Sequence, residues 1–413
     1  MKFKNLKMAM VILSVMAVVN CSEDSMNTEL VEIEPFSVES QEMSNQYVVT
    51  FVDGTLSRMA NRSKTRVEYE NSMDALKLEV SDKFKNANIK EELIKNTFGF
   101  ALQGFVAELS DKQLEQLKND PRVKSIEKDY LITLAPPPGK GPGSGGGGGG
   151  SDPTQVTPWG ITRVGGAIDG TGKTAWIIDS GIDFDHPDLN VDISRSRSFV
   201  TTGKDSQDAN DGNGHGTHVA GTVAALDNGI GVIGVAPGAQ VVACKVLDRR
   251  GSGQFSWTIA ALDYVASVGN SGDAVNMSLG PQSRYTDSAV DDAARGVASR
   301  GIKVAIAAGN SNDDALYYSP ARAGLNNNNI YTVSAMDNGD VMASFSNYGT
   351  PVDYAAPGVS ILSTYKDGGY ATASGTSMAS PHVCGLLLLG NIVSDGTITG
   401  DKDNNPDPIA THN

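Results

Sequence analysis

The sequence predicts an α/β protein. Its main part is expected to be a parallel β-sheet with helices on both faces, preceded by a small α+β ferredoxin-like unit. The first observation is that the second half of the chain alternates short apolar β-rich runs with longer helical patterns, an order typical of parallel sheets. The second is a glycine run at 145–150 that separates two stretches of different composition, since every glutamate lies before it. We therefore expect two folded units joined by a flexible linker.

Composition limits the classes of function. The chain has 413 residues, of which 39% are hydrophobic and 20% charged, and its formal net charge is −15. These values exclude a polytopic membrane protein and a wholly disordered chain. An acidic chain is not expected to bind the phosphate backbone of nucleic acids. Three cysteines exclude a disulfide-dense scaffold.

Residues 1–21 have the pattern of an export signal. Three lysines precede an apolar run at 8–19, which is too short to span a bilayer. The sequence Val-Val-Asn before Cys21 resembles a bacterial lipobox, so a lipid anchor at Cys21 and an ordinary cleaved signal both remain open. In either case we expect a bacterial protein that is secreted or held in the cell envelope, with residues 22–44 as an acidic tether.

Residues 45–134 are predicted to form a small α+β domain. Ser110 is expected to begin its second helix, because serine is a preferred N-cap residue. The predicted strands are 46–52, 104–109 and 123–130, and helical spacing covers 71–95. The order β-α-β-β-α-β indicates a ferredoxin-like unit.

A Pro- and Gly-rich linker at 135–153 leads into a second domain at 154–413. Its predicted helices cover 256–267 and 286–300. Its predicted buried strands are 174–178, 240–246, 274–277, 303–307 and 330–335. In such sheets, functional sites form at the carboxyl ends of the strands.

Three motifs in this domain lie at predicted strand or helix ends. Asp179 ends a strand in Ile-Asp-Ser-Gly, His215 lies in a glycine-rich turn before an apolar helix, and Ser377 lies in Gly-Thr-Ser-Met-Ala. A serine hydroxyl needs an adjacent base to act as a nucleophile, and a neutral imidazole is such a base. A buried carboxylate fixes the tautomer of the imidazole, and the chain order Asp, His, Ser is one known arrangement of this triad.

Each motif alone has an ordinary structural interpretation, as a turn aspartate, a loop or metal-binding histidine, or a helix-capping serine. The joint pattern is far more specific. Residues 154–413 resemble the subtilisin-like serine proteases (subtilases, peptidase family S8), and residues 45–134 resemble their inhibitor propeptide. The resemblance implies Asp179 as the orienting acid, His215 as the general base and Ser377 as the nucleophile. The segment Ala-Ala-Gly-Asn implies that Asn310 donates to the oxyanion.

The resemblance also implies a peptide-binding cleft. Two segments would pair with an extended substrate by β-augmentation, with Phe255 in an outer pocket and Tyr317 and Tyr318 near the floor of the primary pocket. Three small residues would form a wall of that primary pocket and would favour apolar or aromatic side chains. The paired segments are Gly251, Ser252, Gly253 and Ser278, Leu279, Gly280, and the wall is Ala307, Ala308 and Gly309.

A structural calcium site is implied by the stretch that follows the helix after His215. Side-chain oxygens would come from Gln155, Asp188 and Asn228, and backbone carbonyls from Leu226, Ile230 and Val232. Oxygen ligands of this mixed type suit Ca²⁺ and not Zn²⁺. No catalytic cofactor is expected.

The resemblance therefore implies a monomeric serine endopeptidase that hydrolyses polypeptides through an acyl-enzyme. It would be made as an autoprocessed zymogen with its own propeptide as intramolecular inhibitor. A catalytically silent binding lipoprotein on the same scaffold is the alternative, although such proteins usually lack one of the four catalytic residues. An esterase would be expected to carry Gly-x-Ser-x-Gly. Cys244 and Cys384 are open to two interpretations, a disulfide or two buried thiols.

Overall fold

The computed structural model describes residues 42–57, 63, 65–134, 154–390 and 392–412. The predicted export signal with Cys21, most of the tether and the whole linker lie outside the described residues. Within the described ranges, no helix is both long enough and apolar enough to cross a membrane.

The elements alternate along the chain much as the sequence predicts. The strands are β1 (Glu42–Phe51), β2 (Ile94–Phe98), β3 (Gly104–Glu108), β4 (Val123–Thr133), β5 (Thr174–Asp179), β6 (Arg197–Ser198), β7 (Gln240–Lys245), β8 (Ser252–Gln254), β9 (Ala274–Met277), β10 (Lys303–Ala307), β11 (Ile330–Met336), β12 (Val352–Pro357), β13 (Ile361–Tyr365), β14 (Gly369–Ala373), β15 (Val393–Thr397) and β16 (Pro408–Thr411). The helices are α1 (Arg66–Lys83), α2 (Asp111–Lys118), α3 (Trp159–Arg163), α4 (His215–Ala224), α5 (Phe255–Val268), α6 (Ser288–Ala298) and α7 (Thr376–Leu389).

The N-terminal unit is an antiparallel sheet in the order β2-β3-β1-β4. The predicted β-α-β-β-α-β order is confirmed, and Ser110 caps α2 through a reciprocal bond pair with Gln113. The prediction of one helix over 71–95 is wrong, because α1 ends at Lys83. Asn88 then takes a left-handed conformation, with φ of 55°, which ends the short turn after α1.

The second unit is built on a nine-stranded sheet in the order β15-β16-β12-β11-β10-β9-β5-β7-β6. In this order, the eight neighbouring strands β6, β7, β5, β9, β10, β11, β12 and β16 run parallel to one another. Strand β15 pairs antiparallel with β16 at the edge of the sheet. The side chains of β5 alternate, so that Trp176 and Ile178 pack with α5 and α6, whereas Ala175 and Ile177 pack with α4 and α7. The predicted fold class, a parallel sheet covered on both faces, is confirmed.

One strand joins the two units. Strand β8 of the second unit pairs antiparallel with β4, which extends the N-terminal sheet to five strands. The register places Leu131 opposite Gln254, Ile132 opposite Gly253 and Thr133 opposite Ser252. The end of the N-terminal unit therefore lies along a segment that the resemblance assigns to substrate binding.

The two cysteines of the second unit are free thiols, and both are buried. Cys244 lies on β7 and Cys384 on α7, in the cores on opposite faces of the large sheet. Of the two interpretations that the sequence left open, the structure therefore has the thiols.

Candidate active site

Asp179 and His215 form a hydrogen-bonded pair. Asp179 is the last residue of β5 and is fully buried, and His215 is the first residue of α4. His215 Nδ1 lies 2.8 Å from Asp179 Oδ1 and 3.0 Å from Oδ2. Burial lowers the pKa of His215, but the charge and the hydrogen bond of Asp179 outweigh it, and the net shift is upward. Asp179 therefore holds the ring with Nε2 available as a base.

Asp211 organises the turn that presents His215. Its Oδ1 accepts hydrogen bonds from Ser180 Oγ and from the backbone N–H groups of Asn213 and Gly214, and its Oδ2 accepts from the N–H and hydroxyl of Thr217. Gly214 has φ of 107°, and a Cβ there would lie 2.3 Å from the ring of a tyrosine. Asp211 is a functional residue that was not predicted, although it begins the glycine-rich segment 211–216 that contains His215.

Ser377 is the second residue of α7, at the start of an apolar helix. Its Oγ donates a 3.4 Å hydrogen bond to the carbonyl of Ser278, whose own hydroxyl donates to the carbonyl of Ser377 at 2.9 Å. The structure has no hydrogen bond between Ser377 and His215, both of which lie in the described part of the chain. Proton transfer to His215 therefore requires the Ser377 hydroxyl to turn, and such bonds commonly tighten only when substrate is bound.

Asn310 follows β10 and faces the same cavity as Ser377. Its Oδ1 accepts hydrogen bonds from the backbone N–H and the hydroxyl of Thr376, both at 2.9 Å. Because a backbone N–H can only donate, the atom that faces it must be the amide oxygen, and Nδ2 is left for another acceptor. The geometry suits a donor to an oxyanion that forms beside Ser377.

A cavity of about 400 Å³ lies beside Ser377. Six of the residues that the resemblance assigned to substrate binding line it, namely Ser278, Leu279, Gly280, Ala307, Ala308 and Gly309. Tyr318 also lines the cavity, whereas Tyr317 is 42% exposed and is not among the lining residues. Phe255 is fully buried and stacks on Tyr130, with ring centroids 5.7 Å apart.

The end of β4 enters this cleft. After the paired residues of β4 and β8, Leu134 N donates to the carbonyl of Gly251 at 2.8 Å. Gln282 Nε2 donates to the carbonyl of Thr133 at 3.0 Å. Thr133 and Leu134 line the same cavity as Ser377. Of the predicted cleft residues, Gly251, Ser252 and Gly253 thus contact the chain's own N-terminal unit.

Three buried or half-buried acids form hydrogen bonds between the units, and none of them was predicted as a functional residue. Asp129 accepts from Ser256 N at 3.0 Å and Ser256 Oγ at 2.5 Å, at the start of α5. Glu127 accepts from the N–H and hydroxyl of Ser288, at the start of α6. In the opposite direction, Asp263 of α5 accepts from three successive N–H groups, those of Gly99, Phe100 and Ala101. A local motif does not reveal such contacts, because the partners are more than 120 residues apart.

The predicted calcium ligands lie close together. Asp188 is fully buried, and its Oδ2 accepts from Val232 N at 3.1 Å, whereas its Oδ1 has no hydrogen-bond donor. Gln155 Nε2 donates to the carbonyls of Leu226 at 2.8 Å and Val232 at 3.5 Å. Burial raises the pKa of Asp188 to about 6. A buried carboxylate oxygen without a donor, beside carbonyl oxygens, fits a hard cation.

The other two predicted ligands lie in the adjoining turn. Asn228 Oδ1 accepts from Ile230 N at 3.0 Å, and Asn228 also contacts the Asp188 carboxylate. Among the residues that the structure describes, no group of three or more His, Cys, Asp or Glu side chains is placed to hold a metal. The donor set of this site is therefore mostly amide and carbonyl oxygen.

Comparison with known proteins shows the family of the chain. The family model described as "Subtilase family" matches residues 170–390, and the model "Peptidase inhibitor I9" matches residues 46–135. Alkaline serine exoprotease A of Vibrio alginolyticus is 40% identical over 309 residues, 72% of this chain and 53% of that protein. The thermostable alkaline protease of Halalkalibacterium halodurans is 39% identical over 68% of this chain and 71% of its own length.

A solved structure shows the same likeness. The crystal structure of a cold adapted subtilisin-like serine proteinase matches with a TM-score of 0.53 and 36% sequence identity. The match covers 61% of this chain and 96% of that one.

Proposed function

The chain belongs to the subtilase family of serine proteases, as its motifs predicted, and from that premise we propose that it is an exported serine endopeptidase made as a zymogen. Residues 45–134 act as the propeptide that occupies the cleft, and residues 154–413 form the catalytic domain. Export depends on residues 1–21, with either a lipid at Cys21 or a cleaved signal. Removal of the propeptide within or near the linker at 135–153 releases activity.

The observation that carries this proposal is the pairing of β4 with β8. An extended strand that pairs along one side of a cleft and ends in the cavity beside Ser377 is bound as a polypeptide substrate would be. Main-chain hydrogen bonds provide affinity without regard to side chains, and the cavity lined by Ala307, Ala308 and Gly309 selects the side chain next to the bond that is cut.

The reaction follows from the positions of the side chains. Ser377 Oγ attacks the carbonyl carbon of the peptide bond while His215 Nε2 takes its proton. Asp179 accepts the Nδ1 proton of His215 in a hydrogen bond and stabilises the imidazolium that forms. The oxyanion of the tetrahedral intermediate accepts hydrogen bonds from Asn310 Nδ2 and from the backbone N–H of Ser377.

The intermediate then collapses in the forward direction. His215 gives its proton to the leaving amine, the C–N bond breaks, and the acyl group stays on Ser377 Oγ. A water molecule, deprotonated by His215, attacks the acyl-enzyme, and the acid product leaves with Ser377 restored. Polypeptides are the substrates, and no catalytic cofactor takes part.

Calcium would have a structural part. Gln155, Asp188 and Asn228, with the carbonyls of Leu226, Ile230 and Val232, would hold it, and the ion would tie the loop after α4 to the start of the catalytic domain. The side-chain amide of Gln155 would then present its oxygen where Nε2 now donates. Neutralising the buried Asp188 carboxylate would stabilise the fold.

Active-site labelling tests the proposed function. The full-length protein and a Ser377→Ala variant are incubated with a fluorescent protein substrate and, separately, with a serine-directed fluorophosphonate. We expect the parent to degrade the substrate and to be labelled at Ser377, and the variant to do neither. If the parent is neither active nor labelled after its N-terminal unit has been removed, the catalytically silent alternative is correct.

A further inference from the structure

Among the described residues, Tyr318 is the one aromatic side chain that lines the cavity beside Ser377. Tyr318 is 4% exposed and lines the cavity together with small residues such as Gly280, Ala308 and Ala321, of which the two alanines pack with it in one buried cluster. Since these neighbours are small, the position of the larger Tyr318 ring affects the space available to a substrate side chain. The groups that hold this ring therefore influence which side chains are accepted.

The Tyr318 ring is held through an ion pair. Its hydroxyl donates to Asp313 Oδ2 at 3.0 Å. Arg284 binds the same carboxylate with two hydrogen bonds, from Nε to Oδ2 and from Nη2 to Oδ1, both at 2.6 Å. The Arg284 guanidinium also lies over the Tyr317 ring, 4.2 Å from its centroid. These interactions of Arg284, Asp313 and Tyr318 connect the loop before α6 with the segment that follows Asn310.

The negative charge of Asp313 is offset by the positive charge of Arg284. Hydrogen bonding from Arg284 lowers the pKa of Asp313 to about 2, so the carboxylate is ionised at every pH at which a protease of this kind would act. Its negative charge lies next to the hydroxyl end of Tyr318 and is offset by Arg284 alone among its ion-pair partners in the described structure. The Arg284 side chain is 59% exposed, and exposed ion pairs contribute little to the stability of a fold. Loss of Arg284 should therefore leave the fold intact.

We propose that Arg284 and Asp313 determine substrate specificity in this protein. They keep the Tyr318 side chain in place and the cavity beside it electrically neutral, so that uncharged side chains are preferred next to the cut bond. This inference rests on the proposed protease function. Arg284 is a positioning residue, because it acts through Asp313 and Tyr318 and does not touch the reacting atoms. Without Arg284, the unpaired Asp313 carboxylate would attract a basic substrate side chain that is bound in the cavity.

The test compares peptide substrates that differ only in the residue before the cut bond, phenylalanine or lysine. Enzyme from the full-length chain is activated and its concentration is fixed by titration with the fluorophosphonate. In Arg284→Ala we expect the ratio of kcat/KM for lysine to kcat/KM for phenylalanine to rise about fivefold. The double variant Arg284→Ala, Asp313→Asn should return the ratio to within about twofold of the parent, because no charge is left.

Arg163→Ala is the matched control, since Arg163 binds Asp340 with two hydrogen bonds but Asp340, unlike Asp313, has no hydrogen bond in the described structure to a residue that lines the cavity. Its ratio should not change. An equal loss of kcat/KM for both substrates in Arg284→Ala, or an unchanged ratio, overturns the inference while leaving the proposed function standing. A parent enzyme that is neither labelled nor active overturns the proposed function and this inference together.

Discussion

The amide nitrogen of Leu134 donates a 2.8 Å hydrogen bond to the carbonyl oxygen of Gly251. Gly251 has φ of 79°, and a Cβ at this position would lie 3.1 Å from the Leu134 side chain, so glycine permits this close approach. The contact continues the ladder between β4 and β8 towards Ser377. It places the last described residue of the N-terminal unit where a substrate would bind.

Asn310→Ala should reduce kcat with little change in KM, because the amide would bind the oxyanion and not the ground-state carbonyl. We expect a loss of about 10²–10³ in kcat, the magnitude known for the equivalent donor in a subtilisin. Steady-state kinetics on a peptide substrate measure it. Asn328→Ala, at an exposed asparagine away from the cavity, is the control. A loss confined to KM would show that Asn310 only binds substrate.

Asp129→Ala should loosen the N-terminal unit. The variant leaves the Ser256 N–H and the Gln46 amide without the carboxylate that both now bind, which costs about 1–3 kcal/mol. In a Ser377→Ala background, hydrogen exchange of the β4 amides should become at least about fivefold faster. Asp82→Ala, at an aspartate whose side chain is 79% exposed, is the control. Unchanged exchange at β4 would mean that Asp129 does not hold the units together.

Rising pH should lower the stability of the full-length protein. The Glu127 carboxyl contacts the buried Asp287, and Asp291 lies nearby on the same helix. Burial first, and then the charge of Glu127, hold the pKa of Asp287 well above its usual 3.8. Burial likewise raises the pKa of Asp291 to about 7, although Arg295 and Arg322 oppose this.

The direction follows from proton binding. The folded form holds protons that the unfolded form releases, so this stabilisation is complete below pH 3.8 and is lost as pH rises through the raised pKa values of Asp287 and Asp291. The melting temperature of full-length Ser377→Ala should therefore fall between pH 5.5 and 8.5, the range around the pKa of Asp291, and Asp291→Asn should reduce that fall, whereas Asp82→Asn should not. A melting temperature that rises over this range in the parent would contradict the assignment.

Calcium should stabilise the catalytic domain through Asp188. At a hundredfold excess over Kd, binding contributes about 2.7 kcal/mol to the free energy of unfolding. We expect calcium to raise the melting temperature of full-length Ser377→Ala relative to a chelator, and Asp188→Asn to abolish most of that rise. Asp208→Asn, at an exposed aspartate, should retain it. An equal rise in Asp188→Asn would place the ion elsewhere.

The sequence predicted best where a single local pattern decides the structure. Strands β9 and β10 were located to the residue, because each is a short, mostly apolar run buried in the sheet. The helix after Ser110 was predicted from its cap. The helix over 71–95 was overextended, since apolar residues such as Ile89 continue into turns where spacing alone does not reveal the end of the helix.

Contacts between residues that are far apart in the chain could not be predicted from the sequence. The triad could be proposed because each residue lies in its own recognisable motif. Nothing in those motifs indicates that Glu127 binds Ser288 or that Arg284 reaches Asp313. Such pairs depend on the docking of the units and on loop conformation, which are set by the whole fold.

The most direct test of a self-processing zymogen is the intact mass of the purified full-length chain over time, beside Ser377→Ala prepared in a host without other exported proteases. We predict that the parent loses its N-terminal part by cleavage within residues 131–154, and that Ser377→Ala keeps its full mass. If Ser377→Ala is cut at the same bond and at the same rate, Ser377 is not the nucleophile of processing and the protein is not a self-processing zymogen.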